Sequence, residues 1–222
     1  MFTLLFDIDG TLIRSGHAGT HAIGLAIKTI LGIETLPILD VHGRTDRAIL
    51  GDLFFELGLD YEQHIDQFNQ LYWQQLPQSL ADRSGEVLPG VNQLLGQLST
   101  RSDVTLGLLT GNSFTAAQIK LQHFGLQHFF DFGGYGDDRV CRNEVAELAL
   151  SAAQEHLQGD FQADRVWVIG DTINDIRCAR AINSKVIAVE TGGSTREDLL
   201  AENPDVLLDW LNPVSVQQIF AS

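Results

Sequence analysis

Two aspartates near the start of the chain, Asp7 and Asp9, directly follow the apolar residues 4–6. Side chains two positions apart on an extended segment point the same way, so the two carboxylates are expected to share one small space. Such a pair is compatible with three arrangements: one carboxyl stays protonated, a cation holds both in the charged form, or the repulsion serves proton transfer. The spacing makes this segment the first candidate for chemistry.

Two further aspartates, Asp171 and Asp175, follow a later apolar run, and Asp175 falls in the first turn of a predicted helix. Residues four apart on a helix face the same side, and ligands bind beyond the carboxyl ends of parallel strands, where all four acids would meet. So many carboxylates call for a hard divalent cation, and oxygen ligands suit Mg²⁺. We therefore predict Asp7, Asp9, Asp171 and Asp175 as a magnesium site. The alternative is that the later pair only caps its helix.

A third polar cluster, Thr110 to Ser113, also follows an apolar run. The backbone amides of Gly111, Asn112 and Ser113 would lie where a strand meets a helix N-terminus, which presents donors and a positive dipole end to an anion. We predict that Thr110 and these amides contact a phosphoryl oxygen. An ordinary N-cap at Asn112 or Ser113 is compatible with that role.

Alternating strand and helix patterns must position these residues. Short apolar runs bounded by polar residues or glycine predict strands that are buried on both faces, and helical patterns between them predict crossover helices of a parallel sheet. The predicted strands are residues 4–6, 104–109, 166–169, 186–189 and 206–208. The predicted helices beside them are residues 113–124, 143–157 and 174–182.

The pattern changes between residues 15 and 85, where no convincing strand occurs. Residues 18–31, 45–57 and 61–76 have helical patterns, which we interpret as a helical insertion. The apolar stripe of the third helix, which includes Phe68 and Tyr72, is expected to pack rather than to bind a cofactor.

Composition limits the classes of partner. The 222 residues are 44% hydrophobic, enough for a sizeable core, and carry a formal net charge of −15. That charge argues against binding to nucleic acid or to an anionic membrane surface. Cys141 and Cys178 lack a metal or redox spacing, and the chain has no apolar run of membrane-spanning length and no signal-peptide pattern. We therefore expect a cytoplasmic protein that is a monomer or a homodimer.

Taken in order, these motifs resemble the haloacid dehalogenase superfamily in its phosphoglycolate-phosphatase-like branch. Residues 7–11 match the first motif, Thr110 the second and residues 170–175 the fourth. The resemblance implies a Rossmann-like α/β fold, with a parallel sheet, helices on both faces and an inserted all-helical cap. The implied domains are a catalytic core of residues 1–14 and 86–222 and a cap of residues 15–85.

The resemblance also implies roles for these residues. Asp7 would be the nucleophile that forms an aspartyl-phosphate, and Asp9 would protonate the leaving oxygen and later deprotonate water. Asp7, the main-chain carbonyl of Asp9 and Asp171 would ligate Mg²⁺, with Asp175 supporting the site. The predicted substrate and phosphate contacts are Gly10, Thr11, Gly111, Asn112 and, from the cap, Arg44.

One family motif is missing. The family places a Lys between the second and fourth motifs, and we expect it within residues 121–169, but that interval holds no Lys; the lysines of this chain are Lys28, Lys120 and Lys185. Arg142 stands immediately before the helix where that Lys commonly occurs, so we predict that Arg142 replaces it as the fourth catalytic residue beside Asp7, Asp9 and Thr110. Arginine stays charged and can grip phosphate or carboxylate with two parallel hydrogen bonds.

These features predict a magnesium-dependent phosphatase acting on a small phosphorylated metabolite, such as a phosphoglycolate-like phosphomonoester. The nearest alternative is a phosphosugar mutase of the same superfamily, which returns the phosphoryl group to the sugar. A second alternative is a phospho-accepting signalling protein, although the chain is longer than a receiver module. The sequence does not identify the substrate.

Overall fold

A parallel sheet forms the centre of the structure, a computed structural model that describes residues 1–216 and 220. The strands are β1 (Phe2–Phe6), β2 (Ile13–Arg14), β3 (Glu86–Val87), β4 (Val104–Leu109), β5 (Gly133–Gly134), β6 (Val166–Gly170), β7 (Lys185–Val189) and β8 (Val206–Leu208). Six of them form the sheet in the order β5-β4-β1-β6-β7-β8, and every pairing in it is parallel. The five strands predicted from apolar runs are all present.

Helices cover both faces of this sheet. The α-helices of the described residues are α1 (Ala18–Leu31), α2 (Asp46–Glu56), α3 (Tyr61–Asp82), α4 (Val91–Leu98), α5 (Phe114–His123), α6 (Arg142–Leu157), α7 (Ile173–Ala181), α8 (Arg196–Ala201) and α9 (Pro213–Val216). Helices α4 and α5 pack on one face, and α6, α7 and α8 pack on the other. The predicted fold class is thus confirmed. Among the described residues, no helix has the length and apolar character needed to cross a membrane.

Successive residues of β1 point to opposite faces of the sheet. Leu4 and Phe6 join the buried cluster under α4 and α5, while Leu5 joins the cluster under α6 and α7. Because both faces are covered, every position from Thr3 to Phe6 is buried. Two apolar layers therefore fix the end of β1, the point at which Asp7 begins.

Helices α1, α2 and α3 form a third apolar cluster, centred on Phe54, Phe68 and Tyr72. Thr45 and Asp60 cap α2 and α3 by accepting hydrogen bonds from backbone amides of the first turn. Helix α3 continues through Pro77 to Asp82, so its predicted end at residue 76 is wrong. Leu76 and Leu80 extend the buried stripe across the proline, and this packing outweighs the one backbone donor that proline lacks.

Several regular elements near the sheet were not predicted from the sequence, among them the short helices α8 and α9. Helix α4 carries a clear apolar stripe, whereas β5 is two glycines and therefore has no side-chain pattern at all. Also not predicted was the short antiparallel pair of β2 and β3, in which Ile13 faces Val87 and Arg14 faces Glu86. This pair brings together the two points where the chain leaves the sheet region for α1 to α3 and returns.

Candidate active site

The carboxyl ends of β4, β1 and β6 lie side by side because these strands are neighbours in the sheet. Asp7, Thr110 and Asp171 directly follow the three strands, so the fold brings the three polar clusters to one edge. A cavity of about 380 Å³ opens there, and its walls come from the sheet edge and from residues of α1, α2 and α3. Asp7, Asp9, Arg142 and Asp171 all line it.

Asp7 is buried beside a single guanidinium group. Its Oδ1 lies 3.0 Å from Nη2 of Arg142. Burial raises the pKa of Asp7 to about 6, since the Arg142 charge lowers it less than burial and the neighbouring carboxylates of Asp175 and Asp9 raise it. The Arg142 charge therefore does not fully offset burial and the neighbouring carboxylates at Asp7.

Arg142 is the first residue of α6, and its side chain is also buried. Its Nη2 donates to Oδ1 of Asp175 at 2.5 Å as well as facing Asp7. Burial alone would lower the pKa of Arg142, but Asp175 and Asp7 raise it above its usual range. The structure thus brings Arg142 to the predicted nucleophile, while its role in place of the family's Lys stays a prediction.

Asp171 is held in one orientation by groups from two segments. Its Oδ1 accepts a hydrogen bond from the Thr11 hydroxyl at 2.9 Å, and its Oδ2 accepts one from the Gly193 amide at 2.7 Å. Gly10 has a φ of 84°, and a Cβ there would collide with this carboxyl group. Burial and the charges of Asp175 and Asp7 raise the pKa of Asp171 well above its usual range. Thr11 and Gly10 therefore shape the acid cluster.

Asp175 has both of its carboxylate oxygens engaged. Besides the contact of Oδ1 with Arg142, Oδ2 accepts hydrogen bonds from the amide and hydroxyl groups of Thr172 at 2.9 and 2.7 Å, which forms a capping box at the start of α7. The capping role considered from the sequence is therefore present, and it coexists with the position of Asp175 in the acid cluster.

The donor set fits a hard divalent cation. Oxygen atoms of Asp7, Asp171 and Asp175 lie within 4.8 Å of one another, and all three residues are buried. Arg142 is the cation paired with this cluster among the described residues. Carboxylate oxygens are the ligands that Mg²⁺ prefers, and a bound cation would favour the ionised forms of Asp7 and Asp171, whose pKa values are raised mainly by burial.

Asp9 has different partners from those of Asp7. Its Oδ2 accepts hydrogen bonds from Lys120 Nζ at 2.5 Å and from Asn112 Nδ2 at 2.9 Å. Burial would raise the pKa of Asp9, but the Lys120 charge and these hydrogen bonds bring it below its usual value. The side chain remains 37% exposed, toward the cavity that it lines.

The polar cluster after β4 is arranged differently from the expectation. The Thr110 hydroxyl accepts a hydrogen bond from Asn112 Nδ2 at 2.8 Å, and the Ser113 amide donates to Oδ2 of Asp46 at 2.7 Å. The expectation that the Ser113 amide serves a phosphoryl oxygen is therefore corrected, since a carboxylate from α2 already occupies the N-terminus of α5. Phosphate contact by Thr110 stays a prediction.

Residues 43–47 dock directly on the sheet edge. The amides of Asp46 and Arg47, in the first turn of α2, donate to the carbonyls of Gly111 at 2.7 Å and Gly136 at 3.3 Å. Helix N-terminal amides lack partners inside their own helix, and here the loops after β4 and β5 supply them. A Cβ on Gly111 would collide with the Arg44 carbonyl, so glycine permits this close approach.

Arg44, the predicted contact from the cap, lines the cavity but is already paired. Its Nη2 lies 2.6 Å from Asp52, and its Nη1 donates to the Asp40 carbonyl at 3.2 Å. Any substrate contact by Arg44 would therefore share the guanidinium group with Asp52, and this role stays a prediction.

Comparison with known proteins decides the family. A model of haloacid dehalogenase-like hydrolases matches residues 2–183. The chain belongs to this family. A phosphoglycolate phosphatase of Synechococcus elongatus is 32% identical to this haloacid dehalogenase-like hydrolase over 214 residues, covering 94% of this chain and 93% of the relative. The expectation of a hydrolase of this family, with phosphatases among its relatives, is confirmed.

Two further relatives support the assignment. The probable phosphatase IndB of Dickeya dadantii is 28% identical over 222 residues, covering 95% of this chain and 90% of the relative. The solved structure of a hydrolase from Pseudomonas syringae shares the fold of this haloacid dehalogenase-like hydrolase with a TM-score of 0.73 at 21% identity, covering 100% of this chain and 98% of that one.

Two site residues were missed by the sequence reasoning on this haloacid dehalogenase-like hydrolase. Lys120 precedes residues 121–169, the interval expected to hold the family's Lys, and Asp46 falls within the predicted helix of residues 45–57. A signal for Lys120 was present, because it lies three and four residues after Ala117 and Ala116 on the buried stripe of α5. Asp46 gave no such signal, since its contact with Ser113 depends on how α2 docks.

Proposed function

We propose that the protein is a magnesium-dependent phosphatase that hydrolyses a small phosphomonoester through an aspartyl-phosphate on Asp7. The observation that supports this most is the unequal treatment of two neighbouring acids in one cavity: Asp7 faces Arg142 and the acid cluster, and Asp9 faces Lys120 and Asn112. A nucleophile and a proton carrier need such different surroundings.

In the first half of the reaction, a carboxylate oxygen of Asp7 attacks phosphorus and the bond to the leaving oxygen breaks. Asp9 gives its proton to that oxygen, and the negative charge of a bound phosphate group favours the protonated form of Asp9. Arg142 holds the Asp7 carboxylate at 3.0 Å and keeps it in place for attack.

In the second half, Asp9 takes a proton from a water molecule that attacks the aspartyl-phosphate, and Asp7 is regenerated as phosphate leaves. When bound by Asp7, the Asp9 carbonyl and Asp171, Mg²⁺ would neutralise the charge between attacking and transferred groups. Asp175 would act through Arg142 and through Thr172, which it fixes by the capping box.

The size of the cavity supports a small substrate. A volume of about 380 Å³ is at the small end of ligand pockets. The likeness to a phosphoglycolate phosphatase supports a phosphoglycolate-like phosphomonoester as the first compound to test.

We also propose that residues 15–85 form the cap and that residues 1–14 and 86–222 form the core, supported by the separate apolar cluster of α1 to α3. The free thiols of Cys141 and Cys178 support a cytoplasmic location.

Phosphate release by the wild type and by Asp7→Asn tests the proposal. The substitution keeps the shape of the side chain but removes the nucleophilic carboxylate, so we expect a loss of at least about 10³-fold in kcat with Mg²⁺ present. The assays would use phosphoglycolate, other phosphomonoesters and p-nitrophenyl phosphate, with circular dichroism to check the fold.

Asp66→Asn provides a matched control, because Asp66 is exposed on α3 and away from the cavity. It should retain wild-type turnover. Equal rates for Asp7→Asn and the wild type would show that Asp7 is not the nucleophile, and isomerised sugar phosphate without free phosphate would indicate the mutase.

A further inference from the structure

Lys120 on α5 is a buried lysine whose charge is directed at Asp9. Its side chain is 6% exposed, and Nζ contacts Asp9 Oδ2 at 2.5 Å and Asn112 Oδ1 at 2.6 Å. A buried ammonium group lowers stability unless it is paired, and an apolar side chain would fill the stripe of α5 without that penalty. The contact with Asp9 is therefore the feature that explains a lysine here.

The contacts around Asp9 form a closed hydrogen-bond network. Lys120 and Asn112 both donate to Oδ2 of Asp9, Lys120 also donates to Asn112, and Asn112 is anchored in turn by the Thr110 hydroxyl. These bonds oppose rotation of the Asp9 carboxyl group about its side-chain torsions, although one third of the side chain is exposed to the cavity. The Ser15 side chain is a further hydrogen-bond partner of this carboxyl group, from the segment between β2 and α1.

We infer that Lys120 is a positioning residue that holds the Asp9 carboxyl group at the cavity for proton transfer to the leaving oxygen. This inference rests on the proposed function, which gives Asp9 its role in proton transfer. Lys120 acts through Asp9 and makes the first displacement faster by keeping the proton donor in place when the leaving group departs.

A leaving-group comparison distinguishes positioning from a general structural effect. An alkyl phosphate needs protonation of its leaving oxygen, whereas p-nitrophenolate leaves without it. The variant Lys120→Met keeps the aliphatic stem of the side chain. We expect its first-turnover rate on an alkyl phosphate to fall by about 10²-fold. The rate of the p-nitrophenol burst should fall by less than about tenfold, because that leaving group needs no proton. KM should change little. Equal losses on both substrates, or a loss confined to KM, would overturn the inference.

A double-mutant cycle tests whether Lys120 acts through Asp9. In the Asp9→Asn background, Lys120→Met should lower the rate by less than about threefold, because the group that it positions is already absent. If the rate losses of the two single substitutions multiply in the double mutant, Lys120 has a role that is independent of Asp9. Lys120→Gln serves as a second neutral variant, and Lys28→Met, on the exposed face of α1, is the control that should keep wild-type rates.

Crystal structures of the wild type and Lys120→Met provide a readout that needs no turnover. The Asp9 carboxyl should leave its wild-type orientation in the variant, and an unmoved Asp9 would refute the positioning role even when the wild type releases phosphate. If Asp9 is displaced in the variant but the wild type hydrolyses no phosphomonoester, the proposed function is contradicted. The role of Lys120 in fixing the orientation of Asp9 is then still supported.

Discussion

Asp7 and Asp9 are two residues apart in sequence, yet each faces a different cation. Arg142 reaches Asp7 from the start of α6, and Lys120 reaches Asp9 from α5. Their surroundings move the two pKa values in opposite directions, raising that of Asp7 and lowering that of Asp9. The different surroundings of the two residues, rather than their type, therefore give Asp7 and Asp9 different pKa values.

Replacing Arg142 with alanine should impair both turnover and stability. The change leaves Asp7 and Asp175 without their buried cation, so we expect kcat to fall by at least about 10²-fold. The free energy of unfolding should fall by about 3 kcal/mol near pH 8. The stability loss should shrink near pH 5, because the pKa of Asp7 is about 6 and its carboxyl then becomes neutral. Chemical denaturation at the two pH values measures this.

Arg139→Ala is the control for this prediction, because Arg139 is exposed three residues earlier in the chain. It should behave as the wild type in both assays. If Arg142→Ala kept normal kinetics while Arg139→Ala lost activity, the role of the family's Lys would belong to Arg139.

Among the elements, the start of α2 joins the helices of the proposed cap to the loops of the sheet edge. Its first amides donate to the carbonyls of Gly111 and Gly136, and the Asp46 carboxylate accepts from the Ser113 amide at the start of α5. The backbone amides at the N-termini of both helices thus find hydrogen-bond acceptors across one contact. This docking helps to place the residues of α2 that line the cavity.

Gly136→Ala should loosen the docking. The new methyl group would collide with the Gly111 carbonyl and lie 3.0 Å from Cβ of Thr45. We expect a loss of about 1–3 kcal/mol in the free energy of unfolding and faster hydrogen exchange at the amides of Asp46 and Arg47. NMR or mass-spectrometric exchange would measure the second effect.

Gly96→Ala is the matched substitution, since Gly96 lies within α4 with open space around it. It should leave exchange at residues 46 and 47 unchanged and raise stability slightly, because alanine is the better helix former. If the Asp46 amide exchanges hydrogen as slowly in Gly136→Ala as in the wild type, the contact between α2 and the loops of the sheet edge does not have the role assigned to it.

The elements also show what the sequence could predict. The five predicted strands could be recognised because each is a short apolar run bounded by polar residues or glycine, and the acids at the ends of β1 and β6 were predictable because parallel strands share one edge. Strand β5 was not, because two glycines have no side-chain pattern. Asp46 was not, because its partner Ser113 lies 67 residues away and is reached only when α2 docks.

At the scale of the whole molecule, negative charge dominates, with a formal net charge of −15. The buried cluster of Asp7, Asp171 and Asp175 adds a local excess of negative charge, and burying that charge lowers the stability of the folded protein. Binding a divalent cation should therefore stabilise the folded protein as well as serve the reaction.

Mg²⁺ should raise the melting temperature near pH 7.5 by about 3–5 °C at a concentration roughly tenfold above its dissociation constant. Near pH 5 the effect should be much smaller, because Asp7, with a pKa of about 6, and Asp171, whose pKa is also raised, then hold protons that compete with the metal. Differential scanning calorimetry with and without EDTA would measure both shifts.

Asp171→Asn removes one proposed ligand and should abolish most of the shift near pH 7.5, whereas Asp66→Asn should keep it. A melting temperature that responds to Mg²⁺ equally at both pH values would place the ion elsewhere on the acidic surface.

The short pairing of β2 with β3 joins the two ends of the segment that carries α1 to α3. Because Arg14 faces Glu86 across this pair, the chain leaves the sheet region and returns to it at adjacent points. A segment with neighbouring ends can be lengthened, shortened or exchanged without changing the register of the sheet. The proposed cap of residues 15–85 is therefore a replaceable unit, and its variation would leave Asp7, Asp171 and Arg142 in their places.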